Sequence, residues 1–216
     1  RSDIDAVLVF GDKVVIDKDN LNIVSLALRD ALRGRNVPFQ VTPADLGTME
    51  DGRFNSYDPS FKDYFDDEGR IVFGPDFREM FRYKLSKHPQ QERIGFSLRK
   101  ARQGLLFAEL DRVEDYKLFL IRFNRALDAI SSGPKQVLLM VDGKLRKNRF
   151  SALEAMVEVF PEVDVEPLKR IRHLYSNLHE LDALYRKQDE VLRIWRSSLT
   201  FFESVILAYL TRFPRK

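Results

Sequence analysis

The chain contains no cysteine, which excludes disulfides, thiolate metal sites and a cysteine nucleophile. A cytosolic or nuclear location, not a secreted one, is the expectation that follows. Histidine is nearly as scarce, with only His88, His173 and His179. His173 and His179 stand six residues apart, not the three or four of a helical zinc pair, and His88 falls beside Pro89 in an expected loop. No apolar run approaches the ~18–20 residues of a membrane span, the most apolar stretch being Ser204 to Leu210, so no membrane association is expected. The opening Arg-Ser-Asp-Ile-Asp lacks the apolar core of a signal peptide. It also lacks an initiator Met, which gives the expectation of an excised domain or a processed product. Internal repeats and low-complexity tracts are missing too.

What is present is globular in character. The 216 residues are 44% apolar and 32% charged, and they include 17 Phe. That many aromatics can offset the entropy of ordering the chain. The net charge of +3 is unevenly spread: residues 1–75 carry 9 Lys and Arg against 14 Asp and Glu, and the remainder carries 27 against 19. The expected organisation is therefore an acidic part at 1–75 and a basic, mainly helical part at 76–216.

The fold class predicted is α+β: a small β-containing N-terminal part, then a predominantly helical part ending in a long helix or two nearly continuous ones. Ala6–Phe10 and Val14–Ile16 read as a hairpin or a bent strand around Gly11-Asp12. Asp19 or Asn20 caps a helix from Leu21 to Arg33, with Leu21, Val24, Leu28 and Leu32 on one stripe, and Gly34 and Pro38 end it. Phe39–Val41 reads as a strand. Thr42 to Gly69 is loop-like, but its aromatics (Phe54, Tyr57, Phe61, Tyr64 and Phe65) are expected to pack onto the body. Ile71–Phe73 and Ile94–Leu98 read as strands, and Asp76–Leu85 as a helix.

From Leu105 to Ile130 the apolar steps of three and four predict one helix, stopped by Ser131-Ser132-Gly133-Pro134. Val137–Val141, apolar on both faces, reads as a central strand turned by Asp142-Gly143. Ser151–Phe160 is a further helix. The final segment enters at Val165-Glu166-Pro167. Its seam runs Ile171, Leu174, Leu178, Leu181, Tyr185, Gln188, Leu192, Trp195, Leu199, Phe202, Ile206, Tyr209 and Phe213, in alternating steps of three and four. Only Gln188 is not apolar, so coiled-coil-like packing is expected, as an antiparallel pair with the helix of 105–130 or against a partner. Ser197-Ser198 is the expected break, with Phe201–Leu210 buried after it.

Several groups of residues are candidates for chemistry. Asp142, at the carboxyl end of the expected central strand, is a candidate base or metal ligand. Its alternative role is that of an ordinary Asp-Gly turn. Asp17 and Asp19 form a D-x-D pair able to share one divalent cation, although helix capping also explains Asp19. Glu109, Asp111, Asp115 and Lys117 have the acidic-x-Lys pattern of some metal-dependent nucleases, here on a helix. Arg172 and His179 stand seven apart, on one face if the helix is continuous, the arrangement a helical ribonuclease would need.

The basic groups form two clusters. Arg78, Arg82, Lys84, Lys87, Arg93, Arg99, Lys100 and Arg102 face only three acids between Asp76 and Gly104, and Lys144, Arg146, Lys147 and Arg149 follow in a loop. Such groups bind phosphate backbones without base specificity. Phe77, Phe81, Tyr83 and Phe96, interleaved with them, are able to stack on bases, though most fit a core position better. The functional expectation is a non-enzymatic interaction module that assembles through its C-terminal helix, with a protein partner or with itself, and contacts nucleic acid through a basic surface. A metal-dependent phosphotransfer enzyme or nuclease, and a helical ribonuclease, are the alternatives. No cofactor is expected.

Overall fold

The computed structural model describes residues 4–11, 18–34, 39–53, 55, 57, 59 and 61–214. The chain is α+β and divides into two compact units, Arg1–Lys84 and Leu85–Lys216. Val14–Ile16, Asp17, Pro38 and Phe54 lie outside the described residues.

The N-terminal unit is built on a β-α-β crossover. Strand β1 (Ile4–Phe10) leads through helix α1 (Lys18–Leu32) to strand β2 (Phe39–Asp45). The two strands pair in parallel, in register from Ile4 with Phe39 to Phe10 with Asp45. A parallel pair needs a crossover of a dozen or more residues, which α1 supplies. β2 runs four residues further than expected and accommodates Pro43 opposite Leu8. Proline is tolerated there because the sheet has two strands among the described residues, which leaves each with an open edge. In α1, Val24, Leu28 and Leu32 of the expected stripe are half-buried. Asp19 lies in the first helical turn, where its charge suits the helix dipole, and does not cap it.

The segment read as a loop holds two short helices, α2 (Leu46–Asp51) and α3 (Phe61–Asp67). Three of its aromatics pack together: Tyr57 stacks on Phe61 with centroids 4.5 Å apart, and Phe61 and Phe65 meet edge to face at 4.4 Å. Phe65 in turn meets Phe81 at 5.7 Å. Gly52 closes α2 in the left-handed conformation, φ 76°, and a Cβ there would lie 2.6 Å from that of Arg82. Two expectations fail here. Ile71–Phe73 forms no strand, and Val72 and Phe73 are 94% and 97% exposed; β-branched residues make a strand only where another strand offers pairing. Asp76–Leu85 is not a helix beyond a single 3-10 turn at Arg78–Met80. Its backbone is diverted because Arg82 N–H donates to the Met49 carbonyl at 2.9 Å and the side chain of Asn55 donates to the Arg82 carbonyl at 2.7 Å.

The C-terminal unit is helical throughout its regular elements: α4 (Lys87–Leu106), α5 (Ala108–Glu114), α6 (Tyr116–Asp142), α7 (Leu153–Val159), α8 (Glu166–Ser176), α9 (Leu178–Leu184) and α10 (Gln188–Arg212). Ile94–Leu98, expected as a strand, is the middle of α4, where Gln90, Ile94, Ala101 and Gly104 face inward at helical spacing. The helix predicted over 105–130 is instead the end of α4, all of α5 and the start of α6. Asp115 breaks it by capping α6, accepting from Leu118 N–H at 2.9 Å.

The larger correction lies in α6. It runs unbroken through Ser131-Ser132-Gly133-Pro134 and takes in Val137–Val141, so no central strand exists there. Pro134 deprives the helix of one N–H donor. The Ser131 and Ser132 hydroxyls both donate to the Asp128 carbonyl, one turn back. Gly133 is required by packing, because a Cβ there would run into the Phe202 ring of α10. An apolar run of five residues fits a buried helix as well as a strand, and Val137 to Met140 are all buried. Gly143, φ 71°, then ends the helix.

At the C-terminus the seam is divided differently from expectation. The breaks fall at Asn177 and at Tyr185–Lys187, while α10 passes through Ser197-Ser198. Asn177 donates to the His173 carbonyl at 2.9 Å, replacing a helical backbone bond. The Ser197 hydroxyl donates back to the Ile194 carbonyl at 3.0 Å, within the helix. α6 and α10 do pack together, as expected, but they run in the same direction and not antiparallel. Tyr116 donates to the Tyr185 carbonyl, Trp195 lies 5.8 and 5.9 Å from the rings of Phe119 and Phe123, and Phe202 covers Gly133. This contact carries the centre of the core, where Trp195, Phe119, Phe123 and Phe202 are fully buried.

Candidate nucleic-acid interface

The candidate acids are already engaged. Asp142 is the last residue of α6, not the end of a strand. Its carboxylate accepts from Arg146 at 2.6 Å and from the Lys144 N–H at 2.9 Å. The Arg146 guanidinium holds its carboxyl below the usual range. Asp111 is buried and accepts from Arg122 at 2.6 Å. Glu109 pairs with Arg112 and Arg196, and Asp115 caps α6. Asp19 is on the surface of α1, while its expected companion Asp17 lies outside the described residues. Among the described residues no three His, Cys, Asp or Glu side chains gather as a metal site would require.

The histidines are also separated. Arg172 lies on α8 and His179 on α9, on either side of the break at Asn177, so the shared helix face that linked them is absent. His173 Nε2 meets Glu180 at 2.9 Å. His88 is in the first turn of α4, not in a loop, and pairs with Glu92 four residues on.

The basic residues divide into those that hold the fold and those that face outward. Arg78 binds Asp76 and donates to the Phe65 carbonyl at 2.5 Å, tying the end of α3 to the 3-10 turn. Arg102 joins Glu203 of α10 at 2.7 Å. In the segment after α6, Arg146 holds Asp142, and Arg149 holds Asp128 at 2.5 Å beneath the Tyr175 ring. Tyr175 donates to the same carboxylate at 2.6 Å. Burial, and then the Asp128 charge, push its hydroxyl well above the usual range, so it stays a donor. Arg78, Arg82 and Lys84 belong to the N-terminal unit, and Lys87, Arg99, Lys100, Arg102, Lys144, Arg146, Lys147 and Arg149 to the C-terminal one.

The outer face of α4 keeps a different arrangement. Phe96 is 52% exposed. Arg99 and Lys100, one turn further along, lie over its ring at 5.4 and 5.7 Å from the centroid. Neither enters an ion pair with a described residue, and both are exposed. A shallow open groove runs beside them from Gly95 to Leu106, bordered by Leu98, Arg99, Lys100 and Gln103. α4 carries five Lys and Arg against one acid, Glu92. Phe77, Phe81 and Tyr83 are accounted for by the small core of the N-terminal unit, as most of the interleaved aromatics were expected to be.

Gly95 was not a sequence candidate. A glycine in a helix interior costs about 0.5–1 kcal/mol relative to alanine. At Gly104 and Gly133 packing explains that cost, since Trp195 and Phe202 occupy the space a Cβ would take. At Gly95 a Cβ would meet nothing within 4 Å. The only sequence signal was the position of a glycine beside an aromatic and ahead of three closely spaced cations, and the strand reading of 94–98 concealed it.

No family model, curated protein or solved structure matches this chain. No helix among the described residues is long and apolar enough to cross a membrane.

Proposed function

We propose that this chain is a non-enzymatic interaction module whose helical unit contacts nucleic acid through the outer face of α4. The observation that carries the reading is the pair Arg99 and Lys100, exposed and outside any ion pair among the described residues, flanking the half-exposed Phe96. Arg78, Arg102, Arg146 and Arg149 are committed to carboxylates, whereas Arg99 and Lys100 stand beside an exposed aromatic. Binding of this kind gains from counterion release, and affinity falls by a logarithmic slope of about 0.7–0.9 per neutralised phosphate as salt rises. The test is a titration of labelled oligonucleotides at several salt concentrations. Arg99→Glu combined with Lys100→Glu should lower affinity at least tenfold and flatten the salt slope. No binding of DNA or RNA at low salt would remove the proposal.

Self-association through α10 is the second element of the reading. Leu207 and Leu210, 66% and 57% exposed, stand one turn apart near its end. Exposed apolar pairs of this kind suit a helix-to-helix contact. Sedimentation of the full chain against Leu207→Glu/Leu210→Glu tests it: a larger species that dissociates in the variant supports it, and a monomer at every concentration excludes it. The phosphotransfer and ribonuclease alternatives have less in their favour, because Asp142 is engaged by Arg146 and because Arg172 and His179 stand on separate helices.

A further inference from the structure

We infer that the α4 face is a stacking site that selects single-stranded over double-stranded nucleic acid, an inference that rests on the interface proposed above. Charge alone does not discriminate, since a duplex offers more phosphates per unit length than a single strand. An exposed ring does discriminate, because only an unpaired base can leave its neighbours and lie on it. Phe96 offers such a ring, and among the described residues its ring contacts are the two cations over it. Both cations are on the surface, where a cation–π contact is worth roughly two- to fivefold in an equilibrium. A base stacked on an aromatic is worth roughly five- to a hundredfold. A base therefore displaces one cation from the ring at a net gain. The displaced cation moves to the phosphate, and the other remains beside the ring.

Gly95 is the second observation, independent of the charges. Its missing side chain opens the helix surface next to Phe96, and nothing inside the molecule occupies that space. A bare backbone next to a stacking ring lets a sugar–phosphate chain pass close to the helix, a recurrent use of glycine. The groove from Gly95 to Leu106 continues along Arg99, Lys100 and Gln103, which gives the strand a track of donors.

The experiment uses the full chain and fluorescence anisotropy at low salt with three probes of equal length: a single-stranded oligonucleotide, its duplex, and an abasic strand that keeps the phosphates but lacks the bases. The wild type should bind the single strand about tenfold more tightly than the duplex or the abasic strand. Phe96→Ala should erase that preference, bringing the single strand down to the level of the abasic one, and Phe96→Tyr should keep it. Gly95→Leu, a better helix former, should leave the melting temperature unchanged or raised while weakening the single-stranded probe. Equal binding of all three probes, untouched by Phe96→Ala, would overturn the single-strand inference and leave the phosphate-binding interface standing. Failure to bind any of the three, or binding of anionic vesicles alone, would overturn both.

Discussion

The two units of this chain reach their folds by different means. In the helical unit, long-range apolar packing dominates: Trp195, Phe119, Phe123, Phe160 and Phe202 are all less than 2% exposed. In the N-terminal unit the buried apolar cluster among the described residues is Ala44, Met49 and Phe81, with partly covered neighbours around it. Its parallel sheet has two strands among the described residues, whereas parallel sheets are usually larger and covered on both faces. Ile23 and Leu26 of α1 remain 63% and 45% exposed. Polar ties onto the backbone supplement so small a core. Arg78 reaches the Phe65 carbonyl, Asn55 the Arg82 carbonyl, and Arg82 N–H the Met49 carbonyl. A short segment can be held by such bonds, each contributing about 1 kcal/mol, but cooperativity comes from apolar area.

The sharpest way to break this comparison is in the larger core. Phe202→Ala should destabilise the helical unit by about 3–5 kcal/mol, because it opens a cavity over Gly133 that the packed helices cannot close. Urea unfolding followed by the fluorescence of Trp195, the only tryptophan, measures it. A loss below about 1 kcal/mol would show that α6–α10 packing does not control the unit. Phe81→Ala comes next, at about 2–3 kcal/mol, with the sparser surroundings relaxing more. Hydrogen exchange should show the loss in β1 and β2 while the Trp195 transition stays in place. Movement of that transition would mean the two units unfold as one.

Smaller effects sharpen the picture. Gly95→Ala should stabilise α4 by about 0.5–1 kcal/mol, visible as a higher melting temperature, since the added methyl meets no neighbour. A destabilisation would mean that the position is closed. Smallest is the pH dependence of the Asp142–Arg146 pair. Its carboxyl is held below the unfolded value, so the pair stabilises the fold above about pH 4, and that contribution fades as pH falls through the lowered folded value. Arg146→Ala should remove an increment of about half a kcal/mol at neutral pH and flatten the acid limb of the stability profile. An unchanged acid limb would assign the pair no part in it.

Much of the helical pattern was legible in the residues. Leu174, Leu181, Leu192, Trp195, Leu199 and Phe202 of the seam are buried as their spacing required, although Leu178 is exposed where α8 gives way to α9. Phe201 and Val205 are buried as expected, yet Leu207 and Leu210 on the opposite side are not. The readings that failed were local ambiguities settled elsewhere in the chain. Val137–Val141 is apolar all round in either conformation, and only the surrounding helices make it helix. Ser131 to Pro134 is a helix stop in isolation, but burial of Ser131, Gly133 and Pro134, with Phe202 packed on Gly133, holds α6 through it. The basic residues were legible as a set, yet composition could not separate structural arginines from outward ones. Arg102 finds its carboxylate 101 residues away.

The sequence by itself determined the α+β class, the amphipathic character of α1 and α10, the apolar residues available for a core, and the exclusion of thiol chemistry. These follow from composition and from periodicity over a few residues, which local backbone geometry converts directly into an exposed and a buried face. Tertiary structure alone decided that α6 is continuous, that α6 and α10 run the same way, and that Gly104 and Gly133 are filled by aromatic rings while Gly95 stands open. It also decided which cations were consumed by carboxylates. Those outcomes depend on which surfaces meet across long stretches of chain, and no local pattern encodes the partner.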